Sequence, residues 1–441
     1  MMSDHDEAGP DFDRLAEACV ADGPEAMLER LGLSLARRGR WHALFDLRMV
    51  QARHALALPP SGDLGPLDEA VREQLDELSL AACREVGWPL LEAGQVAAAW
   101  MYLRAAAPAD EVARRLAALA ARVVPSLTDG KQAACGVAAP ELPADETDDE
   151  ETARLVQEVL GVALWESADP ALGIEIVLGT QGTCNAVTAY EQAVSRLPGV
   201  RQEPAARVLV GHLHAEVVRN LAFDLGQRGI DTAAALAAET PLVALLDAAG
   251  GLADASIHVD VSHLQSVLRI ARVCTDEPTL RRAWELARYA CRLPEEVTYP
   301  GEPPFENVGE ASRLFFAAQL GTETDAAVAF FRRAAATADP REAGVLPADV
   351  LVLLLHRLGR SAEALHAAVE RPREGGQPSP LQAAGMLPPL IELAVDSGQW
   401  ALLLDACRRH GDEITFAAAL AARVAAQNQG ERSQPQPWPK P

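Results

Sequence analysis

Lysine is almost missing from this chain. Only Lys131 and Lys440 occur, and every other basic residue is arginine; 39 basic residues face 63 acidic ones, a net charge of −24. A surface of that sign repels nucleic-acid backbones and anionic lipid headgroups, so neither nucleic acid nor membrane is an expected partner. The preference for arginine fits GC-rich bacterial coding. Aromatic residues make up only 5%. Runs of β-branched residues bounded by turns are scarce, which argues against a sheet. The seven cysteines are odd in number and form no C-x-x-C pair, which excludes a disulfide framework and a zinc knuckle. No apolar run reaches the roughly 18 residues of a membrane span. The start, "MMSDHDEAGPDFDRL", holds no signal-peptide core. The expected location is the cytoplasm.

What is present is helix-forming material. Apolar residues reach 49%, and alanine and leucine, both good helix formers, carry most of that load. The expected class is all-α. Cap chemistry recurs: "ADPALGIEIVLG" offers Asp169 as N-cap, Pro170 at the first helical position and Gly179 as stop, and "ETPLVALLDAAGG" repeats this with Thr240, Pro241 and Gly250. The punctuation predicts about eighteen helices joined by short turns. Residues 1–9 read as a flexible start and 10–125 as an N-terminal helical domain. Residues 126–150 form an acidic, disordered linker, 151–426 a C-terminal helical domain, and 427–441 a flexible proline-rich tail.

Five segments share one grammar, an apolar helix ending at a glycine with a second amphipathic helix starting just after it. Their glycines are Gly39, Gly94, Gly321, Gly359 and Gly398. In the first, Leu28, Leu31, Gly32, Leu35 and Gly39 follow a large, large, small, large, turn-glycine order; around the second, Gly87, Leu90, Ala99, Leu103 and Ala106 do the same work. Around Gly359 only Leu355, Ala364 and Ala368 fit. This pattern resembles the tetratricopeptide (TPR) helical hairpin in a degenerate form. Pro89 departs from it and is expected to bend or shorten its helix, and the later glycines are spaced wider than the usual ~34 residues. The resemblance implies an α-solenoid, a superhelical array of hairpins that each bury their apolar face on a neighbour. It also implies protein or peptide binding on a concave face.

Two segments concentrate histidine and carboxylate. "VLVGHLHAEVVRN" holds His212, His214 and Glu216, and "SIHVDVSHLQSV" holds His258, Asp260 and His263. His212 and Glu216 stand four apart on a helix and share a face, whereas His214 points away. A loop carrying His258 and Asp260 across that face would make a divalent transition-metal site of His212, Glu216, His258 and Asp260. The competing expectation is structural: "SHLQ" reads as a capping box from Ser262 to Gln265, with Asp260 complementing the helix dipole. "GTQGTCNA" lacks the lysine of a phosphate loop. Its glycines read as a helix stop and a corner, which puts Cys184 in a first helical turn. "YPGEPPFEN", residues 299–307, reads as a loop that docks through Tyr299 and Phe305, and Trp438 as a recognition element in the tail.

Three functional expectations follow. The first is a non-enzymatic protein- or peptide-binding scaffold with no cofactor, whose acidic surface favours a basic or polar partner segment. The second is a metal-dependent hydrolase built on the two histidine segments. The third is a structural subunit of an assembly.

Overall fold

The computed structural model describes residues 12–124, 146–250, 257–371 and 379–432. The expected flexible start, most of the linker and Trp438 lie outside these residues. The described chain is all-α, with 23 helices and no strand. The surplus over the expected number comes partly from single-turn helices. None of the described helices is long and apolar enough to cross a membrane. The chain divides into two compact units, Met1–Gly179 and Thr180–Pro441.

The first unit holds α1 (Phe12–Asp22), α2 (Pro24–Arg37), α3 (Trp41–Ala55), α4 (Glu69–Glu92), α5 (Val96–Ala106), α6 (Ala109–Val123), α7 (Glu146–Leu160) and most of α8 (Pro170–Gln181). From α1 to α5 each helix packs on the next. Leu35, Leu44, Leu47 and Val86 form a core, and Leu28, Leu31, Trp41 and Tyr102 pack against it. Arg48 of α3 fastens its neighbours: Nε and Nη2 donate to the two carboxylate oxygens of Glu85 at 2.7 Å each, and Nη1 donates to Glu29 at 2.9 Å. That bidentate geometry is the strong form of an arginine–carboxylate pair. Helix α4 continues through Pro89 to Glu92 rather than stopping there. A Cβ on its Gly87 would lie 2.6 Å from Leu103, so α4 and α5 touch where the sequence placed a small residue. Helix α7 begins at Glu146, inside the segment expected to be linker, and packs on α5 and α6. The described contacts therefore place this helix with the N-terminal unit.

The second unit continues with α9 (Thr183–Ala189), α10 (Gly199–Gln227), α11 (Ala233–Leu236), α12 (Pro241–Ala248), α13 (Val261–Ile270), α14 (Glu277–Ala290), α15 (Val308–Gln319) and α16 (Thr324–Thr337). It closes with α17 (Pro340–Ala343), α18 (Leu346–Arg357), α19 (Ser361–Val369), α20 (Pro380–Ala383), α21 (Leu390–Ser397), α22 (Trp400–His410) and α23 (Glu413–Arg432). The long α10 packs on α12, α13 and α14. From α15 onward each longer helix packs on neighbours one or two places along the chain: α16 on α18, α19 on α21, α21 on α23.

Four of the five predicted corners share one backbone geometry. Gly39, Gly94, Gly359 and Gly398 have φ of 64°, 74°, 69° and 69°. The residue after each (Arg40, Gln95, Arg360, Gln399) has φ between −82° and −87° and ψ between 52° and 65°, and then the next helix starts. At the first three, the residue after the glycine donates its N–H to the carbonyl five residues back, as in Arg40 to Leu35 at 2.9 Å. This bond closes the open carbonyl end of the helix, and it needs a left-handed residue that glycine adopts without a Cβ penalty. The Gly321 corner is longer: Glu323 also turns left-handed, at φ 51°, before α16.

Three local expectations are corrected. Gly179 does not end its helix; α8 runs on to Gln181, and Gly182, at φ 84°, is the corner before α9. Asp260, not Ser262, caps α13, because the chain enters the helix two residues earlier. Thr240 makes no side-chain cap bond to α12. Asp169 does cap α8, accepting from the Leu172 N–H at 3.1 Å.

Candidate functional site

The histidines and carboxylates of the two segments do not converge. His212 is half-buried on α10, its Nε2 3.1 Å from the Thr183 hydroxyl and 3.7 Å from Glu216 Oε2. Burial pushes its imidazole below the ordinary range, with Glu216 raising it and Arg219 lowering it further. His258 lies farther along α10, where its carbonyl accepts from Asn220 at 2.9 Å. Eight residues of helix, about 12 Å of rise, separate Asn220 from His212. The Asp260 carboxylate is spent on its own helix: it accepts from the Ser262 N–H at 2.8 Å, the Ser262 hydroxyl at 2.6 Å and the His263 N–H at 3.4 Å. The expected set of His212, Glu216, His258 and Asp260 is thus split by helix rise and by cap geometry. Among the described residues, no group of three or more histidine, cysteine or carboxylate side chains is placed to hold a metal ion.

His258 and His214 have instead found partners distant in sequence. His258 is tied to Tyr289 of α14 and Asp224 of α10. Its backbone N–H donates to the Tyr289 hydroxyl at 2.9 Å, Nδ1 is 3.1 Å from that hydroxyl, and Nε2 is 3.3 Å from Asp224 Oδ2. These contacts fit one tautomer, in which Tyr289 donates to Nδ1 and the Nε2–H donates to Asp224. His214 is nine-tenths buried, its Nε2 2.7 Å from Glu285 Oε2. The other oxygen of Glu285 accepts the Leu242 and Val243 N–H groups at 3.0 and 3.2 Å. Glu285 therefore caps α12 from another helix, which is why Thr240 need not. The pair lies at the base of a cleft of about 590 Å³ rimmed by Arg281, Glu277 and Glu239, where Arg281 is already paired with both carboxylates. Both Glu285 oxygens are occupied, so the arrangement clamps α10, α12 and α14 together rather than presenting a free base.

Sequence reasoning missed Glu285, Tyr289 and Asp224 as partners because they stand 71, 31 and 34 positions away along the chain. The available signal was a carboxylate and a tyrosine, "ELARY", among the apolar positions of an amphipathic helix. Cys184 is exposed on α9 with a free thiol. In "YPGEPPFEN", Phe305 does dock, 2% exposed and 5.6 Å from Phe331, whereas Tyr299 is exposed and contributes its carbonyl to Gln265.

A groove of about 680 Å³ opens between α16, α18 and α19, with Gln399 at one end. Its floor is small and apolar: Ala335, Ala362 and Ala367 beside Leu351 and Leu355. Its rim is charged and internally paired. Arg332 donates to Glu363 at 2.6 Å, and His366 lies 3.2 Å from Glu370. Arg371 lies 3.0 Å from Asp349, whose carboxylate is fully buried. Burial pushes the Asp349 carboxyl up, opposed by Ser379 and Arg371. No family model matches the chain, and no curated protein or solved structure is significantly similar to it.

Proposed function

We propose that this chain is a non-enzymatic binding scaffold, an α-solenoid of degenerate TPR-like hairpins that receives a segment of another protein in the groove between α16, α18 and α19. The groove carries this reading. An alanine floor lets an extended chain approach the helices closely, and leucines beneath give it apolar contact. The repeated glycine corner and the neighbour-on-neighbour packing of α15 to α23 are what a stack of hairpins requires. Glu363 and Glu370 stand partly exposed on the rim, and with the net charge of −24 they favour a basic or polar partner segment. No observation favours the metal-dependent hydrolase, whose His212 and Glu216 lie together but apart from His258 and Asp260.

The test is a peptide array probed with the full chain at low and high salt. The expected result is binding of basic, small-side-chain peptides that weakens with salt and is lost in Ala362→Arg, which fills the floor. Binding that survives Ala362→Arg, or an array with no binder at low salt, overturns the proposal.

A further inference from the structure

A second cavity, of about 390 Å³, lies elsewhere in the Thr180–Pro441 unit, and one charge in it is unused. It is bounded by the π-helical turn Tyr190–Val194, the 3₁₀ turn Ala271–Val273 and the loop after α20. Arg272 sits in that 3₁₀ turn between residues that are themselves buried, and only 8% of it is exposed. A guanidinium carries five N–H donors. Among the described residues Arg272 makes no hydrogen bond and no ion pair within 4 Å; the charge of Glu302 attracts it and that of Arg269 opposes it from farther off, and it faces the Phe305 ring at 5.7 Å and lines the cavity. A buried guanidinium whose N–H groups make no hydrogen bond is costly, and ordinary folds satisfy it. Arg357 on α18 shows the contrast, its guanidinium nitrogens donating to the Cys274 and Val273 carbonyls and to Gln319.

The remaining lining selects the ligand. Ile270, Val273, Leu346, Leu381 and Met386 give the cavity an apolar wall. Gln202 adds no free group, since its amide already bonds Tyr190, Ser195 and Leu197. Arg269, Glu191 and Glu302 also line the cavity; with Arg272 the two signs balance, and a neutral lining that holds two carboxylates disfavours a dianion over a single negative charge. We propose that this cavity is a binding site for a small aliphatic monocarboxylate, its carboxylate forked by Arg272 and its chain against the apolar wall. This assignment is independent of the peptide groove, since the two share one helix, α18, but no lining residue.

The experiment titrates the full chain with hexanoate, the neutral hexanamide and inorganic phosphate, by calorimetry and by NMR of the arginine side chains. Hexanoate is expected to bind and shift the Arg272 guanidinium signals, and the other two to bind far more weakly. Arg272→Met, which removes a buried charge that makes no hydrogen bond, is expected to keep the far-UV spectrum and melting temperature while hexanoate affinity falls about 10- to 100-fold, the range of one charge-assisted hydrogen-bonded contact. Glu302→Gln, at an exposed position, is expected to tighten hexanoate binding severalfold. The proposal is overturned if hexanoate does not bind, if phosphate binds as well as hexanoate, or if folded Arg272→Met binds hexanoate like the parent.

Discussion

At the scale of single residues, the polar groups of this protein pair across long stretches of chain. Glu285 shows the principle. Its 1% exposed carboxylate answers two helix N–H groups and one imidazole. Removing it leaves three buried donors without an acceptor, each costing about 1–3 kcal/mol when unsatisfied, though the losses do not sum. Glu285→Ala is therefore expected to lower the unfolding free energy by about 3 kcal/mol in urea titrations. Thr240→Ala, at the residue that the sequence nominates as the cap, is expected to stay within about 0.5 kcal/mol, as surface substitutions away from special features do. Equal losses at the two positions would show that the α12 cap is local after all. The histidine-rich segments were visible in sequence because composition is visible. Their partners were not, because a cap supplied from another helix leaves no trace at the helix it caps.

At the scale of helices and corners, much more was legible, since the chemistry there is local. Gly39, Gly94, Gly359 and Gly398 were found by their place between amphipathic runs, and each adopts the left-handed conformation that such a corner needs. The failure at Gly179 is equally physical. A glycine is permitted inside a helix at a cost of about 1 kcal/mol, and buried Ile174, Ile176 and Val177 hold α8 in place. The close approach at Gly173 was not legible, because only the folded chain brings Leu164 there. A Cβ on Gly173 would lie 2.6 Å from the Leu164 Cβ and 3.0 Å from its Cα, so backbone must move. Gly173→Ala is expected to cost about 2–3 kcal/mol through overpacking. Gly359→Ala, strained only by its φ, is expected to cost about 1–2 kcal/mol. Gly161→Ala, with nothing within 4 Å and no left-handed φ, is expected to be neutral or slightly stabilising. Urea unfolding of the three variants checks the order, and a Gly161→Ala loss as large as that of Gly173→Ala would contradict it.

At the scale of the whole molecule, the pattern of contacts matters more than any one of them. Within the Thr180–Pro441 unit, helices past α15 pack mainly on near neighbours in the chain; in the stack of hairpins proposed above, stability is a sum of local interfaces rather than the property of one shared core. Such a stack is expected to open from its weakly held end. Helices α14 and α15 bury Leu280, Leu286, Tyr289, Leu314, Phe315 and Phe316, whereas α23, among its described side chains, buries only Ala419 and leaves Ile414 and Val424 exposed. Native-state hydrogen exchange on the intact chain is expected to show a gradient: α23 and then α22 open at free energies well below the global value, and α14 and α15 exchange only near it. This follows from few buried apolar contacts at one end and many at the other, with the interface terms between them transmitting cooperativity only from helix to helix. A single common opening free energy from α14 to α23 would mean that the unit folds around one core, and the stacked-hairpin reading, with the groove that depends on it, would lose its basis.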